Sequence, residues 1–317
     1  MAGKKGQKKR VWSDDEKVSI CTQARVPLSD NMRGALLMMA SMAAFTVNDT
    51  FFKTVAEEVP LLQAIMIRGA MTTILLAVMA VVRGAWLVRI PLADWKIIGW
   101  RTFAEIGSTY FFLSALFHMP IANLSAILQS LPLAITLAGA LFFREKVGWR
   151  RYGAIAIGFC GVLLIVRPGT SGFDIYSLYG LIAVAFVVLR DLSTRRLSRA
   201  VPSVSVALIT AVAITSFGAF GSAIEGWQPV EFASVARLSG AAFFIVGGYL
   251  LSIMVMRVGE IAVVSPFRYT ALIWAITLGY LVFGNVPSRW TIIGSIIVVG
   301  MGIYTFYREH KLQKRIA

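Results

Sequence analysis

The sequence predicts an all-α membrane protein with ten transmembrane helices arranged as two inverted five-helix repeats. Three observations support this prediction. Hydrophobic residues make up 57% of the 317 residues and charged residues only 15%, a balance that soluble globular chains do not show. Apolar runs near the length of about 20 residues that crosses a bilayer recur along the chain. Residues of the first half also recur in the second half at an offset near 140 positions.

Each predicted helix is a predominantly apolar run, and the charged residues are crowded between the runs. A large soluble helical core would need polar stripes facing water, which runs such as AIMIRGAMTTILLAVMAVV do not supply. In chain order the predicted spans cover residues 34–53, 61–82, 98–118, 121–142, 151–166, 177–193, 204–224, 238–256, 261–284 and 290–307.

The positions of Lys and Arg predict the orientation, because short loops rich in these residues stay in the cytoplasm. Ten spans place both termini on one side of the membrane. If both termini are cytoplasmic, most of the 31 Lys and Arg residues lie on the cytoplasmic side. Outside the cell this arrangement leaves only Lys53, Arg167, Arg237 and Arg289.

Matches at a nearly constant offset indicate an internal duplication. The segment IANLS at 121–125 shares its first, second and last letters with IAVVS at 261–265. Further matches occur in the same order along both halves: Asp49 with Asp191, Pro60 with Pro202, Phe103 with Phe243, Gly107 with Gly247 and Trp149 with Trp290. Coincidence explains this order less well than duplication does.

Because each copy holds five spans, the second copy must cross the membrane in the opposite direction. The loops support this inversion, since REKVGWRR at 144–151 is strongly basic and its counterpart GNVPSRW at 284–290 keeps one arginine. Inverted repeats are characteristic of many secondary transporters, in which two halves expose a central site to either side in turn. The repeats are predicted to cover residues 34–167 and 168–308.

Basic tails flank the two repeats and carry much of the net charge of +15. Residues 1–33 are polar without an apolar core, which predicts a disordered cytoplasmic tail and not a cleaved signal peptide. Residues 309–317 form a second basic cytoplasmic segment. Both tails suit an anionic lipid surface, and no aromatic-interleaved basic face indicates nucleic acid as a partner. Cys21 and Cys160 offer neither a disulfide framework nor metal-ligand spacing.

Two long segments carry a resemblance to a known family. They are NLSAILQSLPLAITLAGALFFREKVGWRRYGAIAIGFCGVLLIVRPG and SPFRYTALIWAITLGYLVFGNVPSRWTIIGSIIVVGMGIYTFYRE. They resemble the second parts of the two EamA repeats of the drug/metabolite transporter superfamily, and the resemblance covers residues 34–308. It implies a ten-helix inner-membrane carrier with a central cavity for small organic molecules. The SPFRYT segment is similar to a branch with uptake carriers for S-adenosylmethionine or riboflavin, whereas other branches export amino acids and other metabolites.

Two arginines within predicted spans are the first candidates for contact with a transported solute. Arg68 and Arg268 each lie seven residues inside a span, about 10 Å deep, and enter from opposite faces of the membrane. An ionised side chain there costs about 2.5 to 3.5 kcal/mol and normally faces a cavity or a partner. A guanidinium suits a carboxylate, although snorkelling or structural pairing is the alternative. Their repeat equivalents, Thr210 and Leu128, are uncharged, which favours recognition of an asymmetric molecule.

Other charged residues in spans predict ion pairs. Pairs four residues apart recur in both repeats and are interpreted as structural ties: Asp49 with Lys53 and Asp191 with Arg195. Glu105 lies one helical turn after Arg101 and is a candidate for proton coupling. A neutralising pair between these two residues is the alternative.

Several polar and aromatic side chains within spans suit a planar or amphipathic solute. These candidates are Asn48, Gln129, Tyr110, Tyr249, Tyr269 and Trp274. Interhelical hydrogen bonds and interfacial aromatic belts use the same residue types. Pro132 and Pro266 predict breaks in two helices, treated as independent because they are not repeat equivalents. Close helix packing, with homodimerisation as the alternative, is indicated by glycines 153, 158, 161, 294, 300 and 302.

The sequence offers little for catalysis. His118 and His310 are the only histidines, and neither an HExxH motif nor a glycine-rich phosphate loop is present. We therefore expect no enzyme, no cofactor, no metal site and no direct ATP coupling. A channel would favour rings of like residues from several subunits. The predicted function is secondary transport of a small organic solute across the lipid bilayer, with uptake preferred over export by resemblance alone.

Overall fold

Helices are the only regular elements in the part of the chain that the structure describes. The computed structural model describes residues 30–82, 90–143, 148–170, 173–198, 201–258 and 261–316. Most of the predicted N-terminal tail, half of the basic loop at 144–151 and the last residue of the C-terminal tail therefore lie outside the described residues. The first helix already begins at Asp30, inside the predicted tail. An acidic residue in the first turn is favourable there because it faces the positive end of the helix dipole.

The helices follow the predicted order, and several begin directly after a proline. Pro91, Pro120 and Pro202 each precede the first helical residue, where a missing backbone N–H costs nothing. The elements are α1 Asp30–Lys53, α2 Leu61–Val82, α3 Leu92–His118, α4 Ile121–Leu128, α5 Leu131–Phe142, α6 Trp149–Val166, α7 Ile175–Arg195, α8 Ser203–Glu225, α9 Phe232–Val258, α10 Ile261–Val264, a 3₁₀ turn Ser265–Tyr269, α11 Thr270–Phe283 and α12 Arg289–Ile316.

These elements make ten membrane crossings, which confirms the predicted fold class. In the described chain, nine segments are long and apolar enough to span a membrane, with α4 and α5 counted as one. The tenth crossing is α3, whose apolar run is interrupted by Arg101 and Glu105. Charged side chains within a crossing are expensive in lipid, so this helix must turn them toward the protein interior.

The two broken crossings are related, contrary to the prediction of independent bends. The first break, at Gln129 and Ser130, separates α4 from α5, and the second is the 3₁₀ turn that ends at Tyr269. Gln129 and Tyr269 are 140 positions apart and therefore occupy equivalent places in the repeats. Pro132 and Pro266 both lie in the first turn of the segment that follows a helix end. Each proline lies where a new helical segment begins, although the two prolines are not repeat equivalents. A comparison of aligned residues therefore could not show that the two breaks correspond.

Helix pairing exchanges partners between the two halves. The most extensive contacts join α1 to α9, α2 to α8, α3 to α7 and α6 to α12. Under the repeat, α1 corresponds to α7 and α3 to α9, so the first and third pairings are equivalent. The other two pairings each join a helix to its own repeat equivalent. The two halves thus interlock around a pseudo-twofold axis, and a space between them is bordered by both.

Glycines permit the closest of these approaches. A Cβ atom added at Gly294 of α12 would lie 2.5 Å from the carbonyl oxygen of Gly161 on α6. Gly158 likewise faces Leu133, in agreement with the predicted close packing. Gly153 and Gly300 have nothing within 4 Å of an added Cβ, so the described chain gives these two glycines no packing role.

Candidate functional site

A cavity of about 480 Å³ lies between the two halves of the bundle. Its walls come from α1, α2 and α3 of the first repeat and from α7, α8, α9 and the 3₁₀ turn of the second. The volume is within the range of small-molecule sites. Part of the wall is apolar, with side chains from Met42, Phe45, Leu76, Ile214 and Val246.

Charged side chains line another part of the wall, in an unusual number for a membrane interior. Four arginines and two acidic residues line the cavity: Arg68, Arg101, Arg190, Arg268, Glu105 and Asp191. Arg68 and Arg268, which the sequence places on opposite sides of the membrane, thus face the same space. Tyr249, another predicted candidate, also lines it.

Two of the arginines are neutralised by the two acids. Glu105 accepts from Arg190 Nη1 at 3.1 Å and lies 3.6 Å from Arg101 Nη2. Arg190 Nε also contacts Asp191 Oδ1 at 2.9 Å. Arg101 Nη1 donates to the hydroxyl of Thr210 at 2.7 Å, which fixes its position further. The predicted neutralising pair of Arg101 and Glu105 is therefore present, and a third charge from α7 reinforces it.

The other two arginines lack such compensation. Arg68 is 7% exposed and forms no ion pair in the described chain. Its Nη1 atom lies 3.5 Å from Asn48 Oδ1, and its Cζ atom lies 4.7 Å from the centre of the Phe52 ring. Arg268 lies in the 3₁₀ turn, and the described residues offer it no hydrogen bond or ion pair. Both guanidinium groups keep their charge, because arginine does not lose its proton in proteins.

The predicted pair of Asp49 and Lys53 does not form. Lys53 Nζ instead donates to the carbonyl oxygens of Leu116 at 2.6 Å and Met119 at 3.0 Å, near the end of α3. Carbonyls at a helix C-terminus are unsatisfied and carry partial negative charge, so they attract the ammonium. Asp49 accepts a hydrogen bond from Asn48 Nδ2 at 2.8 Å.

Asp191 also has an ion-pair partner other than the predicted Arg195. Asp191 pairs with its neighbour Arg190, while Arg195 is exposed at the end of α7. The spacing of Asp191 and Arg195 suits a helical ion pair. Asp191 instead contacts Arg190, which also pairs with Glu105 in the cavity wall.

Five predicted solute contacts do not line the cavity. Asn48 donates to Asp49 and lies 3.5 Å from Arg68. Trp274 is 39% exposed on α11, and Gln129 is buried at the break between α4 and α5. Tyr110 packs edge-on against Phe217 of α8, with ring centres 6.1 Å apart. Tyr269 turns its buried hydroxyl toward α12, where a Cβ added at Gly302 would collide with it. These residues lie within the predicted crossings, but their side chains do not line this cavity.

Sequence reasoning missed Arg190 and gave Arg101 too small a role. Both residues lie near the predicted cytoplasmic end of a span, where an arginine is ordinarily explained by orientation alone. The sequence did contain a sign that Arg190 is important. Its neighbour Asp191 matches Asp49 in the first repeat. An acid retained in both copies inside a span requires a partner, and Arg190 supplies one.

The end of the bundle away from the cavity is held shut by polar contacts, and we call it the closed end. Arg237 of α9 donates hydrogen bonds from Nη1 and Nη2 to the Glu58 carboxylate, at 2.9 and 2.8 Å. The Ser234 hydroxyl donates to the same carboxylate. Gln63 of α2 donates to the carbonyl of Gln228 at 2.7 Å. The cavity, in contrast, lies toward the start of α8 and the end of α7, at the opposite end of these helices.

Ten crossings in two interlocked halves, with a charged cavity between them, define a multi-pass membrane protein of the transporter class. Residues 32–167 match the EamA-like transporter family. This match covers the first repeat, and relatives that align over most of both chains extend the similarity over the second.

Several characterised relatives are named as transporters. The pseudopaline exporter of Pseudomonas aeruginosa is 24% identical over 84% of this chain and 93% of its own length. The riboflavin transporter of Vibrio cholerae is 25% identical over 90% of this chain and 96% of its own. The S-adenosylmethionine uptake transporter of Rickettsia bellii is 21% identical over 62% of this chain and 67% of its own length.

A solved crystal structure shares the fold. It superposes with a TM-score of 0.62 at 19% sequence identity and covers 88% of this chain and 98% of its own. At this level of identity the likeness concerns the arrangement of helices alone.

Proposed function

We propose that this protein is a secondary transporter that moves a small organic metabolite across the inner (plasma) membrane by alternating access. The single observation that carries the proposal is the charged cavity of about 480 Å³ between the two repeats. Charges buried in a membrane bundle are costly unless they serve a solute or a partner. A cavity bordered by both repeats is also where an alternating-access carrier holds its solute.

The proposed orientation places both termini in the cytoplasm. Under this orientation the cavity opens toward the cytoplasm, and the closed end faces outward. Transport then requires the contact of Glu58 with Arg237 and that of Gln63 with Gln228 to open while the cytoplasmic side closes. Hydrogen bonds at an exposed surface are modest in net free energy, which suits a contact that must form and break in each cycle.

Direct contact with the solute is proposed for Arg68 and Arg268, with Tyr249 beside them. Arg101 and Arg190 are already engaged by Glu105 and are proposed to support the walls. Because Glu105 lies between two arginines, a structural role is better supported for it than proton coupling.

The relatives support more than one solute. Uptake of a molecule like S-adenosylmethionine or riboflavin is the first candidate, since two relatives carry these names. Export of a metabolite is the second candidate, because the exporter for pseudopaline matches this chain over a greater length than the S-adenosylmethionine carrier does.

Counterflow in proteoliposomes tests the proposal. Vesicles containing the purified full-length protein are loaded with unlabelled solute, and entry of labelled S-adenosylmethionine, riboflavin, pseudopaline or individual amino acids is followed. A carrier gives a saturable, transient accumulation of one labelled compound above its equilibrium level. Linear flux that does not saturate would indicate a channel and would contradict the proposal.

A further inference from the structure

We propose that the transported solute is an organic dianion whose two carboxylates bind Arg68 and Arg268. This inference rests on the carrier function proposed above and specifies the chemical class of its solute. It starts from the balance of charges in the cavity wall, where four arginines face two acidic residues. Among the lining residues, arginines therefore outnumber acids by two, while the buried Asp49 lies behind the wall and acts on Arg68.

The geometry identifies which two arginines are in excess. Glu105 is held by Arg190 and Arg101, and Asp191 is held by Arg190. Both acids of the wall are thus occupied by the same two arginines. Arg68 and Arg268 are the two arginines of the wall that form no ion pair in the described chain.

The charge of Arg68 is unfavourable in its surroundings unless an anion lies close to it. It is 7% exposed, so water solvates little of its charge. One side of the guanidinium faces the Phe52 ring, and its hydrogen-bond partner is the neutral amide of Asn48 at 3.5 Å. Asp49 acts on this charge from beyond ion-pair distance and does not line the cavity. A carboxylate of the solute would supply the close anionic partner that Arg68 lacks.

Arg268 presents a second charge from the opposite repeat. The 3₁₀ turn interrupts the crossing at this residue, which places an arginine in the wall at a position where the first repeat has Leu128. The acid that acts on Arg268 is Asp191, which is already bound to Arg190. Two such guanidinium groups, on different walls and without an ion pair in the described chain, suit two separate carboxylates better than one.

The same wall argues against a cationic group on the solute. In the described part of the cavity both acids are engaged, so no carboxylate is free to receive an ammonium or sulfonium. The apolar side chains of Met42, Phe45 and Val246 instead border the space with hydrocarbon. A dicarboxylate with an apolar body fits this combination better than a cation such as S-adenosylmethionine. The inference therefore favours a solute different from the first candidate that the relatives' names supply.

Binding to the purified full-length protein tests this inference without requiring transport. The probes are straight-chain dicarboxylates of four to eight carbons, each compared with its own monoamide, which has nearly the same size and one charge fewer. Ligand-induced shifts of the unfolding midpoint give the dissociation constants. We expect at least one dicarboxylate to bind about tenfold more tightly than its monoamide, because a charged hydrogen bond is lost in the amide.

Three variants assign the effect to the two arginines. Arg68→Gln and Arg268→Gln should each reduce the ratio of the monoamide to the dicarboxylate dissociation constant to near one. Arg68→Lys should retain part of this preference. Arg289→Gln is the matched control, because Arg289 is exposed and does not line the cavity. Size-exclusion profiles establish that each variant is folded.

The inference would be overturned if the monoamides bound as tightly as the dicarboxylates, or if no dicarboxylate bound. Its failure is distinguishable from failure of the carrier function. Dicarboxylate binding without counterflow would contradict transport alone. Counterflow of S-adenosylmethionine or riboflavin that dicarboxylates do not inhibit would contradict the dianion alone.

Discussion

Arg190 on α7 and Glu105 on α3 are joined by a 3.1 Å ion pair that crosses from one repeat to the other. Neither residue has a charged equivalent in the other half, since the matching positions are Asn48 and Ile245. The interaction is therefore specific to one side of a pseudosymmetric bundle. It lies in the cavity wall and joins the two halves where they border the cavity.

Glu105→Gln should destabilise the protein by about 1 to 3 kcal/mol, because it removes the acid that Arg101 and Arg190 share and leaves two partly buried charges facing each other. Unfolding midpoints in detergent measure this effect. Leu141→Gln, on an exposed position of α5, is the control for introducing an amide. If Glu105→Gln were as stable as the wild type but lost the pH dependence of uptake, Glu105 would act in proton coupling instead.

Gly294→Ala should destabilise the contact of α6 with α12, because the added methyl would lie 2.5 Å from the Gly161 carbonyl oxygen. Overpacking of this kind costs about 1 to 3 kcal/mol. The comparison is Gly300→Ala on the same helix, where an added Cβ meets nothing within 4 Å. Thermal unfolding should separate the two variants, and equal midpoints would contradict the described approach of the helices.

The proposed alternating access requires the closed end to open in each transport cycle. Cysteines at positions 58 and 237, joined by a short cleavable thiol cross-linker, should therefore stop counterflow until the linker is cleaved. Serine replaces Cys21 and Cys160 in this background, so that the linker reacts only at the introduced sites. Full counterflow by the cross-linked protein would show that this end does not move.

The same contact should depend on pH. The Ser234 hydroxyl, followed by Arg237, holds the pKa of Glu58 below its usual value. A lowered carboxyl pKa in the folded state gives stability that is present above the unfolded-state pKa and is lost as the pH falls through the folded-state pKa. Glu58→Gln should thus have a lower unfolding midpoint than the wild type at neutral pH and an equal one in acid. A difference that persisted at low pH would contradict an ionic role for Glu58.

The sequence was sufficient for the crossings, the duplication and the two deepest arginines. Apolar length and repeat spacing are properties of single segments, so they can be read without tertiary information. The environment of Arg190 could not be read in this way, because its partner Glu105 is 85 positions away. For a related reason the sequence could not show that Trp274 and Tyr269 do not line this cavity. Tyr269 ends the 3₁₀ turn and Trp274 lies in α11, which is predominantly apolar, so no polar stripe indicates which face meets the cavity.

Lys53 illustrates the same limit for charge pairs. Its spacing from Asp49 is ideal within one helix, yet the end of α3 offers several carbonyl oxygens to its ammonium group. Local spacing identifies which pairs are geometrically allowed. Competition from a neighbouring helix decides which of them form.

Counterflow in Arg268→Ala is the most direct test of a carrier with its solute site in this cavity. The solute is the compound that shows counterflow with the wild-type protein, and Arg289→Ala serves as the control for loss of an exposed arginine. The account predicts that Arg268→Ala remains folded and loses counterflow, whereas Arg289→Ala retains it. Wild-type counterflow in Arg268→Ala at the same solute concentration would contradict the proposed site.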